Sequence, residues 1–291
     1  MDSSKPGIRF NRRIIIITAV ILAAAVLLTA AAATYKNIRR FSADNPLPLS
    51  NIFIKRTDRE KIHLTAQRGF SCQAPENTLP AIELAAGRGF DSVEISARRT
   101  SDGVWVVFAD AGLAAMTDKS GSVSGYTYYD LVTCRINRGA NIKKYGDLRI
   151  PTLDRVLRLC LEKNLRPMID LRSDGGIDTL LSLIDRNGFT ESCAVICSEE
   201  TTLEAIHKKN ERINLILKVK SLKTSLAEKR VGKPYGGVAF DAGKGGSTRG
   251  EAEKILKSGV TLYAYNVKTA KDAERLYEYG VTEFITDRIY K

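Results

Sequence analysis

From about residue 51 to the C-terminus, short runs of β-branched and apolar residues alternate with stretches whose apolar positions recur at helical spacing. This alternation predicts a parallel sheet whose strands are joined by crossover helices. The predicted strands are residues 62–66, 92–96, 104–108, 166–171, 194–197, 214–219, 237–240, 261–265 and 283–286.

These runs are one more than a closed barrel of eight strands needs. The connection between 96 and 104 is too short for a helix, and its Asp102-Gly103 pair is a turn signal. One strand is therefore expected to be accessory. The part of the chain from 51 to 291 is close to the roughly 250 residues of a (β/α)₈ TIM barrel, the α/β fold that we predict.

Helical spacing is clearest in three segments, which are 79–88, 153–163 and 270–279. Asn77 or Thr78 is placed to cap the first of these helices, and Pro80 is tolerated in its first turn. By contrast, the stretch from about 111 to 145 has no strong periodicity and is rich in glycine and polar residues.

Ahead of the globular part, residues 14–33 form an uncharged apolar run interrupted only by two threonines. At 1.5 Å per residue such a run is about 30 Å long, the thickness of the hydrocarbon core of a bilayer. We therefore expect a transmembrane helix at 14–34, after an N-terminal tail at 1–13 and before a linker at 35–50. A cleaved signal peptide is the alternative, but the apolar regions of signal peptides run only about 7–15 residues.

Basic residues flank this apolar run on both sides, and Arg12 and Arg13 directly precede it. Retention of these arginines inside the cell predicts a single-pass protein of the cell membrane with its large domain outside. The formal net charge of +12 favours proximity to anionic lipid or wall polymer. Without a recognised binding module or a basic–aromatic stripe, a nucleic-acid partner is not expected. The odd number of cysteines, five, indicates mostly buried thiols.

Two motifs contain the candidate chemistry. Gln67-Arg68-Gly69 ends the first predicted strand, and Pro-Glu-Asn-Thr at 75–78 opens the first helix. This arrangement resembles the glycerophosphodiester phosphodiesterase family, in which a strand ends in His-Arg-Gly before a Pro-Glu-Asn-Thr helix start. Phe108-Ala109-Asp110 is similar to the second family motif, a strand followed by His-Asp. Gln67 and Ala109 thus occupy the positions of the two family histidines.

Three further segments extend the resemblance to about residues 62–291. Ile-Pro-Thr-Leu at 150–153 resembles the return to the barrel after a small insertion, which we place at about 111–145. Tyr-Ala-Tyr-Asn at 263–266 is similar to the family's Trp-Thr-Val-Asn strand, and Thr-Asp-Arg at 286–288 to its closing motif.

The resemblance implies hydrolysis of a glycerophosphodiester to glycerol 3-phosphate and an alcohol by two histidines and one divalent metal, usually calcium or magnesium. It places the metal on a Glu-x-Asp pair and a later Glu. Glu94 matches the first of these carboxylates, but Ser96 replaces the Asp, and Asp170 replaces the later Glu. We therefore expect calcium or magnesium to bind weakly, if the site is not vestigial.

The resemblance also implies phosphate-facing cations. Arg68 matches the family's arginine, and Arg172 replaces its lysine. Lys218 and Lys220 share one face of their predicted strand. If that face points inward, an ammonium or guanidinium group would occupy the metal's place beside Glu94 and Asp170. The alternative is that both lysines face solvent.

Two pairs of residues remain as candidates. Arg98 and Arg99 are interpreted as a pair of loop charges. Tyr263 and Tyr265 alternate onto one face, where they would either line the alcohol side of a site or pack inside the barrel.

Only two histidines are present, His63 near the start of a strand and His207 on a predicted helix, and neither is expected at the carboxyl ends of the strands, where barrel chemistry occurs. Losing two acid–base groups that each contribute about 10²–10⁴-fold predicts a pseudoenzyme that binds a phosphodiester or an anionic headgroup. The alternatives are an active phosphoric diester hydrolase with an altered site, and a membrane scaffold whose pocket is vestigial.

Overall fold

The computed structural model describes residues 46–222, 233–243 and 247–291. Eight parallel strands form a closed barrel in the order β2-β12-β11-β10-β9-β8-β7-β3, and pairing of β3 with β2 closes the ring. The strands in chain order are β1 (Leu47–Pro48), β2 (His63–Gln67), β3 (Ser92–Arg99), β4 (Trp105–Val107), β5 (Arg135–Ile136), β6 (Leu148–Arg149), β7 (Arg166–Leu171), β8 (Ala194–Cys197), β9 (Asn214–Val219), β10 (Gly237–Asp241), β11 (Thr261–Tyr265), β12 (Glu283–Thr286) and β13 (Ile289–Tyr290). This topology confirms the predicted barrel.

Helices cover the outside of the barrel. They are α1 (Arg56–Arg59), α2 (Leu79–Gly87), α3 (Tyr128–Leu131), α4 (Leu153–Glu162), α5 (Ile177–Arg186), α6 (Glu200–Lys209), α7 (Arg249–Lys257) and α8 (Ala270–Glu278). Thr78 is the N-cap of α2, where its hydroxyl accepts a hydrogen bond from the Ala81 N–H, and Pro80 lies in the first turn. The apolar faces of the longer helices pack on the outer faces of the strands and form the largest cluster of buried residues.

The accessory strand of the sequence analysis is β4. It pairs antiparallel with the end of β3, with Ala97 opposite Val107, and so forms a hairpin beside the barrel. The prediction that the preceding strand ends at residue 96 was wrong, because this hairpin pairing prolongs β3 to Arg99.

The segment after β4 has a separate apolar core. Val106 and Phe108 from the hairpin pack with buried residues that follow them, namely Leu113, Val123, Leu131, Cys134, Ile136 and Ile150. Short 3₁₀ turns, α3 and the antiparallel pair β5–β6 make up this segment. It leads back to the barrel through α4, whose N-cap is Thr152.

The barrel interior is filled with side chains. Its members come from successive strands and are Met168, Ala194, Ile196, Ile216, Ala239, Tyr263 and Ile285. A layered, packed interior of this kind is typical of (β/α)₈ barrels and leaves polar chemistry to the strand ends.

Residues 14–34, where a transmembrane helix is predicted, lie outside the described residues, as do the tail at 1–13 and most of the linker. Within 46–222, 233–243 and 247–291, no helix combines the length and apolarity that crossing a membrane requires. All five cysteines are free thiols, and only Cys72 is not fully buried, which confirms the expectation of mostly buried thiols.

Candidate ligand-binding site

Polar side chains on the inward faces of the strands gather at one end of the barrel. Met168 and Ile216 pack inside it. Side chains two positions apart on a strand share a face, so Asp170 and Lys218 lie directly above these two residues at the carboxyl ends of β7 and β9. We refer to this end as the barrel mouth.

Strand register joins the remaining predicted site residues to this group. Gln67 at the end of β2 lies opposite Glu94 on β3. Ser96, two positions further along β3, lies opposite Asp170. The residues predicted as metal ligands are therefore neighbours on adjacent strands.

Asp170 is the centre of the charge arrangement. It is 2% exposed, and two cations share its Oδ2 atom. Nζ of Lys218 donates to this oxygen at 2.6 Å, and Nη2 of Arg172 donates to it at 2.5 Å. The face of β9 that carries Lys218 thus points inward, whereas Lys220 is exposed.

Glu94 is buried, with 3% of its surface exposed. Its Oε2 accepts a hydrogen bond from the backbone N–H of Arg68 at 2.9 Å, and its Oε1 accepts a longer one from the Ser96 hydroxyl at 3.4 Å. Burial and the negative charge of Asp170 raise the pKa of Glu94 to about 7, against the opposing effect of Lys218.

Arg68 follows β2 in a left-handed backbone conformation, with φ of 56°. Its Nη1 lies 2.9 Å from both carboxylate oxygens of Glu76. Burial lowers the pKa of the Arg68 guanidinium, but the carboxylates of Glu76 and Glu94 outweigh this effect, and the pKa is raised. With about a third of its side chain exposed, the guanidinium remains open to a ligand.

Gln67 and Ala109, the two positions predicted to replace histidines, carry no group that exchanges protons near neutral pH. The side-chain amide of Gln67 donates a hydrogen bond of 2.9 Å to Oδ1 of Asn266, just beyond β11. Ala109 is buried, and its carbonyl accepts from Nε and Nη2 of Arg98, at 3.1 and 2.8 Å. Asp110, next along the chain, is exposed.

The interpretation of Arg98 as a loop charge was wrong. Because β3 continues past Ser96, Arg98 lies on the same face as Glu94, and it links two segments of the mouth. Besides the Ala109 carbonyl, it donates to the carbonyl of Arg172 at 2.9 Å. Burial and the positive charge of Arg172 lower the pKa of Arg98. The spacing of two residues between 94, 96 and 98 was the signal in the sequence that Arg98 shares a strand face with Glu94.

Asp241 is a second residue that sequence reasoning did not single out. It is 7% exposed and ends β10, two positions after Ala239 of the packed interior. Its Oδ1 accepts from the Gly243 N–H at 3.0 Å. The predicted strand ended one residue earlier, at 240, and so excluded it.

The two tyrosines of β11 have different environments. Tyr263 packs inside the barrel, while Tyr265 lies at the mouth with its ring centroid 5.1 Å from Nζ of Lys218. Neither histidine reaches the mouth. His63 begins β2 at the opposite end of the barrel, and His207 lies in the last turn of α6.

Comparison with known proteins identifies the family and supports the fold. The model of the glycerophosphoryl diester phosphodiesterase family matches residues 68–291. The chain belongs to this family. The shared region includes the whole barrel after the first strand, together with the segment that follows β4.

Among its relatives in the family, mouse glycerophosphodiester phosphodiesterase 1 is 34% identical over 155 residues, which cover 52% of this chain but only 45% of the mouse protein. The protein YqiK of Bacillus subtilis is 24% identical over 227 residues, or 76% of this chain and 93% of that protein. The first of these matches thus spans less than half of the mammalian relative.

Solved structures of the family share the fold. An Oleispira antarctica phosphodiesterase in complex with the product sn-glycerol-3-phosphate superimposes with a TM-score of 0.72 and 21% identity, covering 78% of this chain and 93% of that one. A glycerophosphodiester phosphodiesterase from Agrobacterium tumefaciens gives a TM-score of 0.66 at 18% identity, with 78% and 96% covered.

The residues at the family's metal position do not fit a divalent cation. Calcium and magnesium are bound by several oxygen ligands, carboxylates above all. Here Ser96 offers only a hydroxyl, which is turned towards Glu94, and the Oδ2 atom of Asp170 already accepts from two cations. In the described part of the chain, no group of three or more His, Cys, Asp or Glu residues is placed to hold a metal.

Proposed function

We propose that this family member binds a glycerol phosphate ester at the barrel mouth without hydrolysing it. The observation that supports this proposal is the chemistry at residues 67 and 109. One position bears an amide that is hydrogen-bonded to Asn266, and the other bears a methyl group. Neither group can deprotonate a nucleophile or protonate a leaving alcohol.

The size of the rate contribution from acid–base groups favours a binding role over slow catalysis. A positioned acid or base contributes about 10²–10⁴-fold to the rate, equivalent to roughly 3–5 kcal/mol of barrier. Loss of both groups therefore removes most of the acceleration expected of the family. A metal ion would have to supply the rest, and the residues at its position do not suit one.

The retained cations support phosphate as the recognised group. Arg68 and Arg172 each present a planar fork of donors that suits two phosphate oxygens, and Lys218 adds a compact charge beside Arg172 on the shared Asp170 carboxylate. All three are partly exposed at the mouth. Because the related Oleispira protein holds sn-glycerol-3-phosphate, we infer that a glycerophosphodiester or its glycerol 3-phosphate end is the ligand here.

We further propose that residues 14–34 anchor the chain in the cell membrane, with the barrel domain on the outer side. The support is the length and apolarity of this run and the arginines before it. The full-length protein should stay with membranes after a carbonate wash. Recovery of a soluble form that begins near residue 34 would indicate signal-peptide cleavage instead.

The deciding experiment measures turnover and binding on the same full-length protein. Glycerophosphodiesters are supplied with calcium or magnesium, and alcohol release is compared with that of a Gln67→His/Ser96→Asp/Ala109→His variant. We expect no release above buffer from the natural chain, but thermal stabilisation by glycerol 3-phosphate. Turnover near ordinary enzyme rates, about 1–10³ per second, would refute the proposal. If the protein shows neither binding nor turnover, a scaffold role is favoured.

A further inference from the structure

Asp170 holds two cations on a single oxygen, and one of them reaches it across a strand. Asp170 is on β7 and Lys218 on β9, with β8 between them. Despite this separation, Nζ of Lys218 lies 2.6 Å from Oδ2 of Asp170. The side chain of Lys218 therefore extends across the end of β8 to β7, and only 19% of it is exposed.

The surroundings hold this ammonium group in place. The ring of Tyr265 lies beneath it, with the centroid 5.1 Å from Nζ, a distance at which a cation is attracted to the face of an aromatic ring. The Tyr265 hydroxyl donates to the Val219 carbonyl at 3.0 Å, so the ring is tied to the strand that carries the lysine. Lys218 is thus positioned by a carboxylate and a fixed ring.

We propose that Lys218 is a resident cation that takes the place of the family's divalent metal, so that the mouth binds its phosphate ester without any metal ion. This inference rests on the proposed function of the same site. Two cations share the Asp170 carboxylate, so these three groups together carry one net positive charge. An ammonium group has three N–H donors, and the contact with Asp170 needs only one of them.

Such a site differs from a metal site in two measurable ways. Its charge is part of the chain, so chelators leave ligand binding unchanged. It also repels divalent cations, because the ammonium occupies the space beside the carboxylate that they would bind. Removing the ammonium should therefore open the site to calcium, and restoring the missing carboxylate at 96 should open it further.

The test is a calcium titration of full-length protein in the absence of any phosphate ester, followed by thermal unfolding. It compares the natural chain with Lys218→Met, Lys218→Met/Ser96→Asp and the control Lys220→Met, which removes an exposed lysine from the same segment. We expect Lys218→Met to lower Tm by about 5–10 °C, because Asp170 loses one partner. Calcium should restore part of that loss.

The double variant should bind calcium at least about tenfold more tightly than the natural chain, since carboxylate count sets affinity. The natural chain and Lys220→Met should not respond to calcium. A further variant, Lys218→Met/Asp170→Asn, removes both charges of the Lys218–Asp170 pair. It should therefore fold even if Lys218→Met alone folds poorly, and calcium should not stabilise it.

Two results of the calcium titration would overturn the inference. The first is tight calcium binding by the natural chain. The second is that calcium stabilises neither Lys218→Met nor Lys218→Met/Ser96→Asp. Since no phosphate ester is present, either result is independent of the proposed ligand. In a separate arm, glycerol 3-phosphate should stabilise the natural chain equally with and without EDTA. Loss of that stabilisation in EDTA would also contradict a resident cation, whereas its absence in both buffers would count against the proposed function alone.

Discussion

The side-chain amide of Gln67 lies 2.9 Å from Oδ1 of Asn266, although β12 separates the strands that lead to these two residues. At a position where the resemblance predicts a proton-transferring histidine, this chain forms a hydrogen-bonded cross-link between the carboxyl ends of two strands. Gln67 thus supplies a structural contact at the mouth.

The first prediction is that this cross-link stabilises the fold. Gln67→Ala should lower the free energy of unfolding by about 0.5–1.5 kcal/mol, the usual net value of one hydrogen bond. Asn266 has φ of 60°, so Asn266→Gly is the matched change on the other side because it adds no backbone strain. A double-mutant cycle in guanidinium chloride should give a coupling energy of similar size, and strict additivity would contradict the prediction.

The second prediction concerns phosphate recognition by Arg68. Arg68→Ala should abolish the thermal stabilisation that glycerol 3-phosphate gives the natural chain. Arg68→Lys should keep only part of it, because an ammonium lacks the planar fork. Arg155→Ala removes an exposed cation from the outer helix α4 and serves as the control. An unchanged ligand response in Arg68→Ala would exclude Arg68 from the binding site.

The third prediction concerns Asn77, which contacts the backbone of β3 at the mouth. It is 2% exposed, has φ of 58°, and its Oδ1 accepts from the Ser96 N–H at 3.0 Å. Asn77→Gly should cost about 1–3 kcal/mol by leaving that buried N–H unpaired. Asn77→Ala should cost about 1–2 kcal/mol more, because a side chain disfavours this backbone conformation. In thermal unfolding, Asn77→Gly should have a higher Tm than Asn77→Ala, and the reverse order would contradict this account.

The fourth prediction is a pH dependence that originates at Glu94. Its pKa is raised to about 7 by burial and by the charge of Asp170, from an ordinary value of 4.5. The folded state therefore holds the proton more tightly than the unfolded state does. The stability that results is fully present below about pH 4.5 and is lost as the pH rises through about 7.

Glu94→Gln should remove this dependence, because an amide does not titrate. The difference in unfolding free energy between the natural chain and Glu94→Gln, measured from pH 4.5 to 8, should therefore decline with pH. Glu283, whose pKa burial also raises, is common to both proteins and cancels in the difference. A flat difference would show that Glu94 is ionised throughout.

The barrel could be predicted from the sequence because each strand has a local signal. Runs such as 166–171 and 214–219 coincide with β7 and β9. The hairpin of β3 and β4 was partly foreseen from the short Asp102-Gly103 turn. The extension of β3 to Arg99 was not, because it depends on pairing with β4 and the local sequence there is charged rather than apolar.

The candidate site was predictable in composition but not in contacts. The motifs around Gln67 and Ala109 led to the prediction that these two residues stand where the family has histidines. The contact between Lys218 and Asp170 could be stated only as one alternative, because it depends on the register of three strands and on which face of β9 points inward. Sheet closure determines both of these properties, and no short segment of sequence contains them.

The packed interior also limits how anything can reach the mouth. Met168, Ile216 and Tyr263 pack inside the barrel beneath the polar residues, so a ligand cannot pass from the mouth through the barrel interior. A long polymer cannot be threaded through it, and must instead present a free terminus or a protruding headgroup. Whatever enters the mouth also leaves on the same side of the barrel, which makes end-on capture the natural geometry of recognition.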